Sequence, residues 1–360
     1  MSRHTLSKAI ILAGGEGTRL RPMTRVIPKP LARVANKPLL EHIIFGLHQQ
    51  GIERVTLATG YKAESIEEHF GDGARHGIAL KYVIEPYSLG SGGAVRNVYE
   101  QCPEYSEGTF VVASADVLHN VDLSAALKSH RASGAVVTMV CCEVDHPQDV
   151  GICEVQDDGR ISAFYEKPAP GVTSSRWANI ALWIFEPQVV SLIESGKFTR
   201  VEDDLFPQML RDGAPLYAYR HCGYWLDVGT MPRYLQAQQD ALAGRFPHEI
   251  EGRITGEYSH AEQKSGNLPG DEPSLPQQSL PEPSLPEASL VGNDCCIARS
   301  ATLVRSVLGD AVHVAKNAVV ENSVLYDGAL AGAGAIVRRS VIGPNVRVPD
   351  GAHLEDQMLF

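Results

Sequence analysis

The sequence predicts an α/β domain built on a mostly parallel sheet, followed by a smaller solenoid of short β-strands. Up to about residue 244, short runs of β-branched and other apolar residues alternate with amphipathic helical patterns. Towards the C-terminus a motif recurs with a constant period of 17 residues, which is typical of a solenoid. The length of 360 residues suits two domains.

The strands of the α/β domain are predicted where apolar runs of strand length occur. These runs are Lys8–Ala13, Arg54–Thr59, Leu80–Ile84, Thr109–Ala113, Val136–Cys142, Ile152–Val155, Ile180–Phe185 and Leu216–Tyr219. Helical periodicity lies between them, at Pro38–Gln50, Ala63–Phe70 and Leu123–Ala132. Parallel sheets bind ligands beyond the carboxyl ends of their strands. We therefore expect a site at Gly14 and Asp116, which follow the first and fourth of these strands.

The segment 246–288 has the composition of an extended linker. It contains seven of the 22 prolines, eight acidic residues and two basic ones, and so carries −6 of the net charge of −11. Proline density and charge repulsion favour an extended spacer. The chain is therefore divided into an α/β domain over 1–245, an acidic linker over 246–288 and the repeat over 289–360.

Each C-terminal repeat begins at a serine. The motif Ser-Leu-Val-Gly-Asn at 289–293 returns with small changes from positions 306, 323 and 340. Short strands separated by Gly, Asn and Asp turns predict coils that bury their apolar edges only by stacking on one another. The period predicts four such coils. Because a short solenoid exposes its ends and faces, we also expect a homo-oligomer.

The overall composition excludes several classes of protein. A net charge of −11 gives no general attraction for nucleic acid or anionic lipid, so neither is expected as a partner. The seven cysteines show no C-x-x-C spacing, which argues against a disulfide framework or a structural zinc site. No signal peptide or membrane-spanning run is evident in the sequence. We expect a cytoplasmic protein with reduced thiols.

The loop after the first predicted strand carries the clearest pattern for chemistry. Gly14, Gly15 and Gly17 let backbone N–H groups approach an anion without obstruction by a side chain. Arg19 and Lys29 add positive charge that suits a triphosphate. The pattern matches neither a Walker A loop nor a G-x-G-x-x-G fingerprint. It predicts a phosphate site of another kind.

Together with later motifs, this loop resembles the signature of the sugar-1-phosphate nucleotidyltransferase (NDP-sugar pyrophosphorylase) family. The loop reads G-G-E-G-T-R-L-R-P over 14–22 and is followed by P-K-P at 28–30. Further motifs follow in the family's order: L-G-S-G-G-A at 89–94, Asp116, Gly151, E-K-P at 166–168, Asn179 and W-L-D-V-G-T at 225–230. The C-terminal repeat resembles the left-handed parallel β-helix of hexapeptide-repeat proteins. The first resemblance covers residues 8–244 and implies a Rossmann-like catalytic domain.

The resemblance implies a role for each motif. Enzymes of this family transfer a nucleotidyl group from a nucleoside triphosphate (NTP) to a sugar 1-phosphate, with Mg²⁺ as cofactor. On that basis Arg19 and Lys29 are implied to be catalytic, and Asp116 and Asp227 to hold Mg²⁺. The residues implied to contact the nucleotide are Leu12, Ala13, Gly14, Gly15, Gly17, Thr18, Glu85 and Gly90. Those implied to contact the sugar phosphate are Gly151, Glu166, Lys167 and Asn179.

Mannose-1-phosphate guanylyltransferases are the relatives that the sequence resembles most. The segments P-K-P-L at 28–31 and N-K-P-L-L at 36–40 favour GTP as the nucleotide. Three segments depart from the family: S-A-D at 114–116, N-I-A at 179–181 and G-S-G-G at 90–93. Because Ile180 and Ala181 favour apolar contact, a hydroxyl-poor or cyclitol-like sugar analogue also fits.

Other functions stay open at this point. A glucose-1-phosphate nucleotidyltransferase that uses another NTP fits the same motifs. A non-catalytic regulatory subunit would be expected to lack a key arginine, lysine or metal-binding aspartate, whereas this chain retains them all. Acyl transfer by the repeat would need a histidine base such as His313 or His353. The acidic run at 202–204 resembles a third acidic site, but beside Leu205 and Phe206 it is expected to begin a helix, where carboxylates suit the dipole.

Overall fold

The structure is a computed structural model that describes residues 6–247, 250, 252–255 and 288–360. Within this part of the chain, strands and helices alternate as predicted. The strands of the first domain are β1 (Lys8–Ala13), β2 (Arg33–Val34), β3 (Lys37–Pro38), β4 (Arg54–Thr59), β5 (Ala79–Ile84), β6 (Phe110–Ser114), β7 (Val117–His119), β8 (Val137–Glu143), β9 (Gly151–Val155), β10 (Ile161–Glu166), β11 (Trp177–Phe185), β12 (Leu216–His221) and β13 (Trp225–Asp227). The helices are α1 (Met23–Val26), α2 (Leu39–Gln49), α3 (Ala63–Phe70), α4 (Gly90–Gln101), α5 (Leu123–Ser133), α6 (Phe206–Arg211) and α7 (Met231–Leu242).

The main sheet brings the carboxyl ends of β1 and β6 together. Its strand order is β10-β9-β11-β6-β1-β4-β5, and β8 and β12 extend it beside β11. Strand β1 is parallel to both β4 and β6, whereas β11 runs antiparallel to β6. Because β1 and β6 point the same way, the loops that follow Ala13 and Ser114 leave the same edge of the sheet. This is the place predicted for a ligand.

Apolar stripes on the helices explain how the sheet is covered. Helix α2 buries the side chains at positions 39, 40, 43, 44 and 47, which is the helical spacing read from the sequence. Helix α4 was not among the predicted helices, because three of its first four residues are glycine and glycine disfavours helix. In the described residues, no helix is long and apolar enough to cross a membrane.

Strand β11 contains an irregularity beside the carboxyl ends of β1 and β6. Its pairing with β8 shifts between Asn179 and Trp183, and Ala181 in this interval has a φ of 55°. The Asn179 side chain stabilises the distortion, because its Oδ1 accepts hydrogen bonds from Ala181 N at 3.2 Å and Trp183 Nε1 at 2.7 Å. Such bulges redirect side chains at the edge of a sheet.

The C-terminal segment is a parallel β-helix with three stacked sheets. Its strands are β15 (Ser289–Val291), β16 (Cys296–Ile297), β17 (Thr302–Val304), β18 (Val307–Leu308), β19 (His313–Val314), β20 (Val319–Glu321), β21 (Val324–Leu325), β22 (Leu330–Ala331), β23 (Ile336–Arg338), β24 (Val341–Ile342), β25 (Arg347–Val348), β26 (His353–Glu355) and β27 (Met358–Leu359). The strands β15 to β24 each pair with the strand 17 residues further on, as in Val307 with Val324. This offset equals the period of the sequence motif, and β27 begins a further turn.

A ladder of buried serines connects the coils. The four repeat serines, at 289, 306, 323 and 340, are each at most 1% exposed. Each serine hydroxyl accepts a hydrogen bond from the backbone N–H one coil later, at 3.0–3.1 Å. The serine that opens each repeat thus satisfies a buried backbone group that the sheet leaves unpaired.

Part of the predicted linker forms a strand. Residues 253–255, near its start, make β14 (Arg253–Thr255), which pairs antiparallel with β15. Phe246 is buried against the first domain. The rest of the segment, apart from residues 247, 250, 252 and 288, lies outside the described residues. Residues 253–255 are therefore part of a sheet and not of an extended spacer.

The two domains pack directly against each other. The apolar core of the α/β domain continues into the β-helix through Leu290, Val307, Val324 and Val341. These side chains come from β15, β18, β21 and β24, which form one face of the coil stack. This continuous core argues against independent movement of the domains.

Replacing Ser306 by alanine should destabilise the β-helix. Its hydroxyl accepts from Ser323 N at 3.1 Å and donates to Val304 O at 2.8 Å, so the variant leaves a buried N–H unpaired. We expect a loss of about 1–3 kcal/mol in the free energy of unfolding, measured by urea denaturation. Ser300 is the matched control, because it accepts from Asn317 N at 3.1 Å at an exposed position. Equal losses for the two variants would contradict this explanation.

Candidate active site

A cleft of about 420 Å³ opens at the carboxyl ends of β1 and β6. It brings together most of the predicted site residues, from the glycine loop, the P-K-P segment, the loop after β5 and the end of β6. The predicted residues that line it are Leu12, Ala13, Gly14, Gly15, Gly17, Thr18, Arg19, Lys29, Glu85, Gly90 and Asp116. Gly151, Glu166, Lys167, Asn179 and Asp227 are not among its lining residues and are described below.

The glycine loop is held close to the P-K-P segment. Gly17 has a φ of 63°, and a Cβ there would lie 3.1 Å from the Lys29 Cβ, so both conformation and packing require glycine. Thr24 Oγ1 donates to Gly17 O at 3.0 Å. Within the described part of the chain, the N–H groups of Gly15 and Glu16 donate to no backbone carbonyl. Gly15 lines the cleft, where an anion could accept from its N–H.

Lys29 and Asp116 form an ion pair at the base of the cleft. The Lys29 ammonium contacts one oxygen of Asp116, and the Ser114 hydroxyl contacts the other. The side chains of Lys29 and Asp116 are 11% and 27% exposed. Burial opposes ionisation of Asp116, but the charge and hydrogen bond of Lys29, together with the Ser114 hydroxyl and the charge of Arg19, outweigh it and lower the pKa of the carboxyl. Asp116 is therefore expected to be ionised and paired with the buried ammonium of Lys29.

Asp227 places a second carboxylate beside Asp116. It ends β13, which pairs with β7 so that Asp227 lies opposite Val117. Arg233 lies 3.2 Å and Arg19 3.9 Å from its Oδ2. Burial, and then the negative charge of Asp116, raise the pKa of Asp227. Its Oδ1 is buried and has no hydrogen-bond partner within the part of the chain that the structure describes.

The two carboxylates fit a divalent cation. A buried carboxylate oxygen without a partner is costly, and a cation between Asp116 and Asp227 would satisfy it and relieve their repulsion. Mg²⁺ is commonly held by one or two carboxylates, with substrate phosphates completing its coordination. In the described residues, no group of three or more His, Cys, Asp or Glu side chains could hold a metal ion. The site therefore suits a cation that arrives with phosphate ligands.

Glu85 and Gly90 form one wall of the cleft. Glu85 Oε2 accepts from Leu89 N at 3.0 Å, and burial raises the pKa of its carboxyl. Gly90 has a φ of 72°, and a Cβ there would lie 2.6 Å from Thr199 O. The start of α4 is thereby fixed to the segment 199–202, because Gly92 N and Gly93 N both donate to Thr199 O, at 2.8 and 3.1 Å.

Gly151, Glu166 and Lys167 form a second cluster, on β9 and β10. Gly151 pairs with Glu166, and a Cβ at Gly151 would lie 2.6 Å from Phe164 Cζ and 2.8 Å from Glu166 Oε2. Burial, and then the charge of Glu202, raise the pKa of Glu166. Lys167 has a φ of 46°, and its side chain is 61% exposed. Its exposed ammonium lies 3.7 Å from Glu166 Oε1 and is accessible to an anion from solvent.

The N-I-A segment does not present its residues as expected. The Asn179 oxygen is engaged within the β11 bulge, and Ile180 is 1% exposed in the core. Ala181 and Trp183 line the cleft instead. The bulge interrupts the alternation of strand side chains, so Ile180 adds no bulk to the cleft.

Sequence reasoning missed Glu202. Its carboxylate lines the cleft and accepts from the Ser91 hydroxyl at 2.7 Å. Residues 201–205 do lead into helix α6, as the acidic run suggested. A helix start alone gave no sign that one of its carboxylates would face the glycine-rich start of α4 from more than 100 residues away.

Replacing Gly90 by alanine should destabilise the α/β domain. The new methyl group would meet the Thr199 carbonyl, at a backbone conformation that disfavours side chains. We expect a loss of about 1–3 kcal/mol in the free energy of unfolding. Gly15 is the matched control in the same cleft, since a Cβ there meets nothing within 4 Å. Thermal and urea unfolding of both variants measure this, and an unchanged Gly90→Ala protein would contradict it.

Two family models match the chain. The model described as "Nucleotidyl transferase" matches residues 8–244. The model described as "GlmU-like, C-terminal hexapeptide" matches residues 282–357. Together they correspond to the α/β domain and to the β-helix.

Comparison with individual proteins agrees with these matches. The chain is 37% identical over 249 residues to a UTP–glucose-1-phosphate uridylyltransferase of Synechocystis. This alignment covers 66% of this chain and 63% of that protein. It is 36% identical over 248 residues to a mannose-1-phosphate guanylyltransferase of Mycobacterium tuberculosis, which covers 69% of this chain and 67% of that protein. The matched region therefore spans about two thirds of each relative's length.

A solved structure supports the fold. HddC from Yersinia pseudotuberculosis, in complex with GMP-PN, superimposes with a TM-score of 0.57 at 24% identity. The alignment covers 66% of this chain and all of HddC. The fold, the cleft and the family models lead to one conclusion: the chain belongs to the nucleotidyl transferase family, with a GlmU-like hexapeptide domain at its C-terminal end.

Proposed function

We propose that the protein transfers a nucleotidyl group from an NTP to a sugar 1-phosphate. A phosphate oxygen of the sugar 1-phosphate attacks the α-phosphorus of the NTP and forms a new P–O bond. The bond from the α-phosphorus to the oxygen bridging the β-phosphate breaks, and pyrophosphate leaves with that electron pair. The products are an NDP-sugar and pyrophosphate.

The observation that carries this proposal is the convergence of cations and carboxylates on one cleft. The glycine loop with its available N–H groups, Arg19 and Lys29 meet Asp116 at the same sheet edge, with Asp227 beside them. Two polyanions must come together in this reaction, so catalysis depends on positioning and charge neutralisation. The cleft supplies both.

Each group has a role in this reaction. The loop 14–18 binds the triphosphate, Lys29 lies along its phosphates, and Arg19 stabilises the leaving pyrophosphate. Asp116 and Asp227 would hold Mg²⁺, which would neutralise phosphate charge in the transition state. Glu85 and Gly90, with Leu12, line the pocket for the base. Lys167 meets the sugar phosphate, and Glu166 meets sugar hydroxyls near Gly151 and Asn179.

GTP and mannose 1-phosphate are the substrates we propose. The P-K-P-L and N-K-P-L-L segments favour them, and a guanylyltransferase is among the relatives. The alternative, a glucose 1-phosphate nucleotidyltransferase that uses another NTP, is supported by the uridylyltransferase at nearly the same identity. A cyclitol-like substrate has only Ala181 in its favour, because Ile180 is in the core.

Pyrophosphate release identifies the substrates. Purified protein is mixed with Mg²⁺, each of ATP, CTP, GTP, UTP and dTTP, and a panel of hexose 1-phosphates. We expect turnover with GTP and mannose 1-phosphate to exceed every other pair. A preference for UTP or dTTP with glucose 1-phosphate would replace the guanylyl assignment. No release by folded protein would favour a non-catalytic regulatory subunit.

Lys167→Ala tests the assignment of the sugar-phosphate site. Loss of the exposed ammonium should raise KM for the sugar 1-phosphate about tenfold or more, with KM for the NTP unchanged, since a charged hydrogen bond contributes about 1.5–3 kcal/mol. Lys316→Ala, at an exposed position of the β-helix, is the control and should match the unaltered protein. An equal rise in both KM values would place Lys167 elsewhere.

A further inference from the structure

One coil of the β-helix breaks the repeat where it meets the α/β domain. The fourth position of the motif is glycine at 292, 309 and 343 but tyrosine at 326. Glycine is needed where the next coil approaches closely: a Cβ at Gly292 would lie 2.6 Å from Asp310 Oδ1, and one at Gly309 would collide with Asp327. The coil after Tyr326 has Pro344 at the corresponding place, which carries no carboxylate. A large side chain is therefore tolerated at this one coil.

Tyr326 is inserted between segments of the α/β domain. It is 3% exposed, and its hydroxyl accepts from Arg33 N at 3.1 Å. Tyr234 donates to Arg33 O at 2.6 Å and lies 2.9 Å from the Tyr326 hydroxyl. Met23 Sδ lies 3.6 Å from the same hydroxyl. Both backbone polar groups of Arg33 are thus held by tyrosine hydroxyls, one of them from the β-helix.

The neighbouring acid adds a second contact to the same residue. Asp327 Oδ1 accepts from Arg33 Nη1 at 2.6 Å. Burial opposes ionisation of Asp327, but the hydrogen bond and charge of Arg33, together with backbone hydrogen bonds, outweigh it and lower the pKa of Asp327. The other end of the hairpin β2–β3 is also held, because Asn36 Nδ2 donates to Leu308 O at 2.9 Å. The β-helix therefore holds this hairpin at both ends.

The hairpin follows directly on the P-K-P segment. Lys29–Leu31 is a short 3-10 turn, in which Ala32 N donates to Lys29 O at 3.0 Å. Arg33 is the next residue. On the other side, Met23 lies between Arg19 and Lys29 in the chain and is fully buried. Tyr326 therefore contacts residues on both sides of Lys29 in the chain, Met23 before it and Arg33 after it.

We propose that Tyr326 and Asp327 are positioning residues for Lys29, so that the third coil of the β-helix is part of the catalytic architecture. The proposal rests on the proposed function, in which Lys29 lies along the phosphates of the NTP. Tyr326 does not touch the cleft. It acts through Arg33 and the backbone that joins Arg33 to Lys29.

Tyr326→Phe tests this with the full-length protein. The ring is kept, but the Arg33 N–H loses its partner. We expect kcat to fall about tenfold, with both KM values within about twofold, because the loss affects transition-state positioning more than ground-state binding. Hydrogen exchange over residues 20–34 should accelerate about fivefold, while exchange in the β-helix stays unchanged.

Asp327→Asn and Asp310→Asn form a matched pair in case the tyrosine variant fails to fold. Asp310 accepts from Asn293 N at 2.6 Å, and Asp327 accepts from Asp310 N at 2.9 Å. Of these two residues, Asp327 forms the ion pair with Arg33, at 2.6 Å. Asp327→Asn should lower kcat and accelerate exchange over residues 20–34, and Asp310→Asn should do neither.

The outcomes separate the two proposals. Unchanged kcat and unchanged exchange in Tyr326→Phe, or equal effects of the two aspartate variants, would overturn the positioning role. If the unaltered protein turns over no substrate pair, the proposed function fails. Hydrogen exchange over residues 20–34 then decides the positioning role alone, since it needs no activity.

Discussion

The placement of two carboxylates beside one buried lysine is the constraint on which the site depends. Asp116 and Asp227 repel each other at the edge of the sheet, and Lys29 compensates only one of them directly. Arg233 and Arg19 lie near Oδ2 of Asp227, but its buried Oδ1 has no hydrogen-bond partner among the described residues. A cation bound together with phosphate groups would satisfy this oxygen and relieve the repulsion between the two carboxylates.

Lys29 can compensate the charge of Asp116 only if its backbone is held in place. The groups that hold it come from distant parts of the chain. Gly17 packs against its side chain, α7 contributes Tyr234, and the β-helix contributes Tyr326. The continuous core between the domains supports the same arrangement. The β-helix is thus more than an appended solenoid, because one of its coils departs from the repeat at the contact with the hairpin that follows Lys29.

The sequence predicted those features that depend on local pattern. Strands β1 and β4 have the predicted bounds, the coil period is 17 residues, and most of the loop residues line one cleft. Features that depend on long-range contacts were missed. Glu202 reaches the cleft through the packing of α4, and the direction of Ile180 follows from a bulge that no local pattern announces. Residues 253–255 form a strand because β15 offers an open edge, which composition does not reveal.

Two non-glycine residues near the predicted substrate sites have strained backbone conformations. Lys167 and Ala181 both adopt left-handed conformations, which cost a non-glycine residue about 1–2 kcal/mol. Glycine would remove that cost at either position. At Lys167, glycine would also remove an exposed ammonium. The backbone of Lys167 is held by a hydrogen bond from its N–H to Val150 O at 3.2 Å. At Ala181 it would remove a methyl group from the wall of the cleft. At these two positions a side chain is thus kept in a backbone conformation that favours glycine, as expected where the placement of that side chain outweighs local stability.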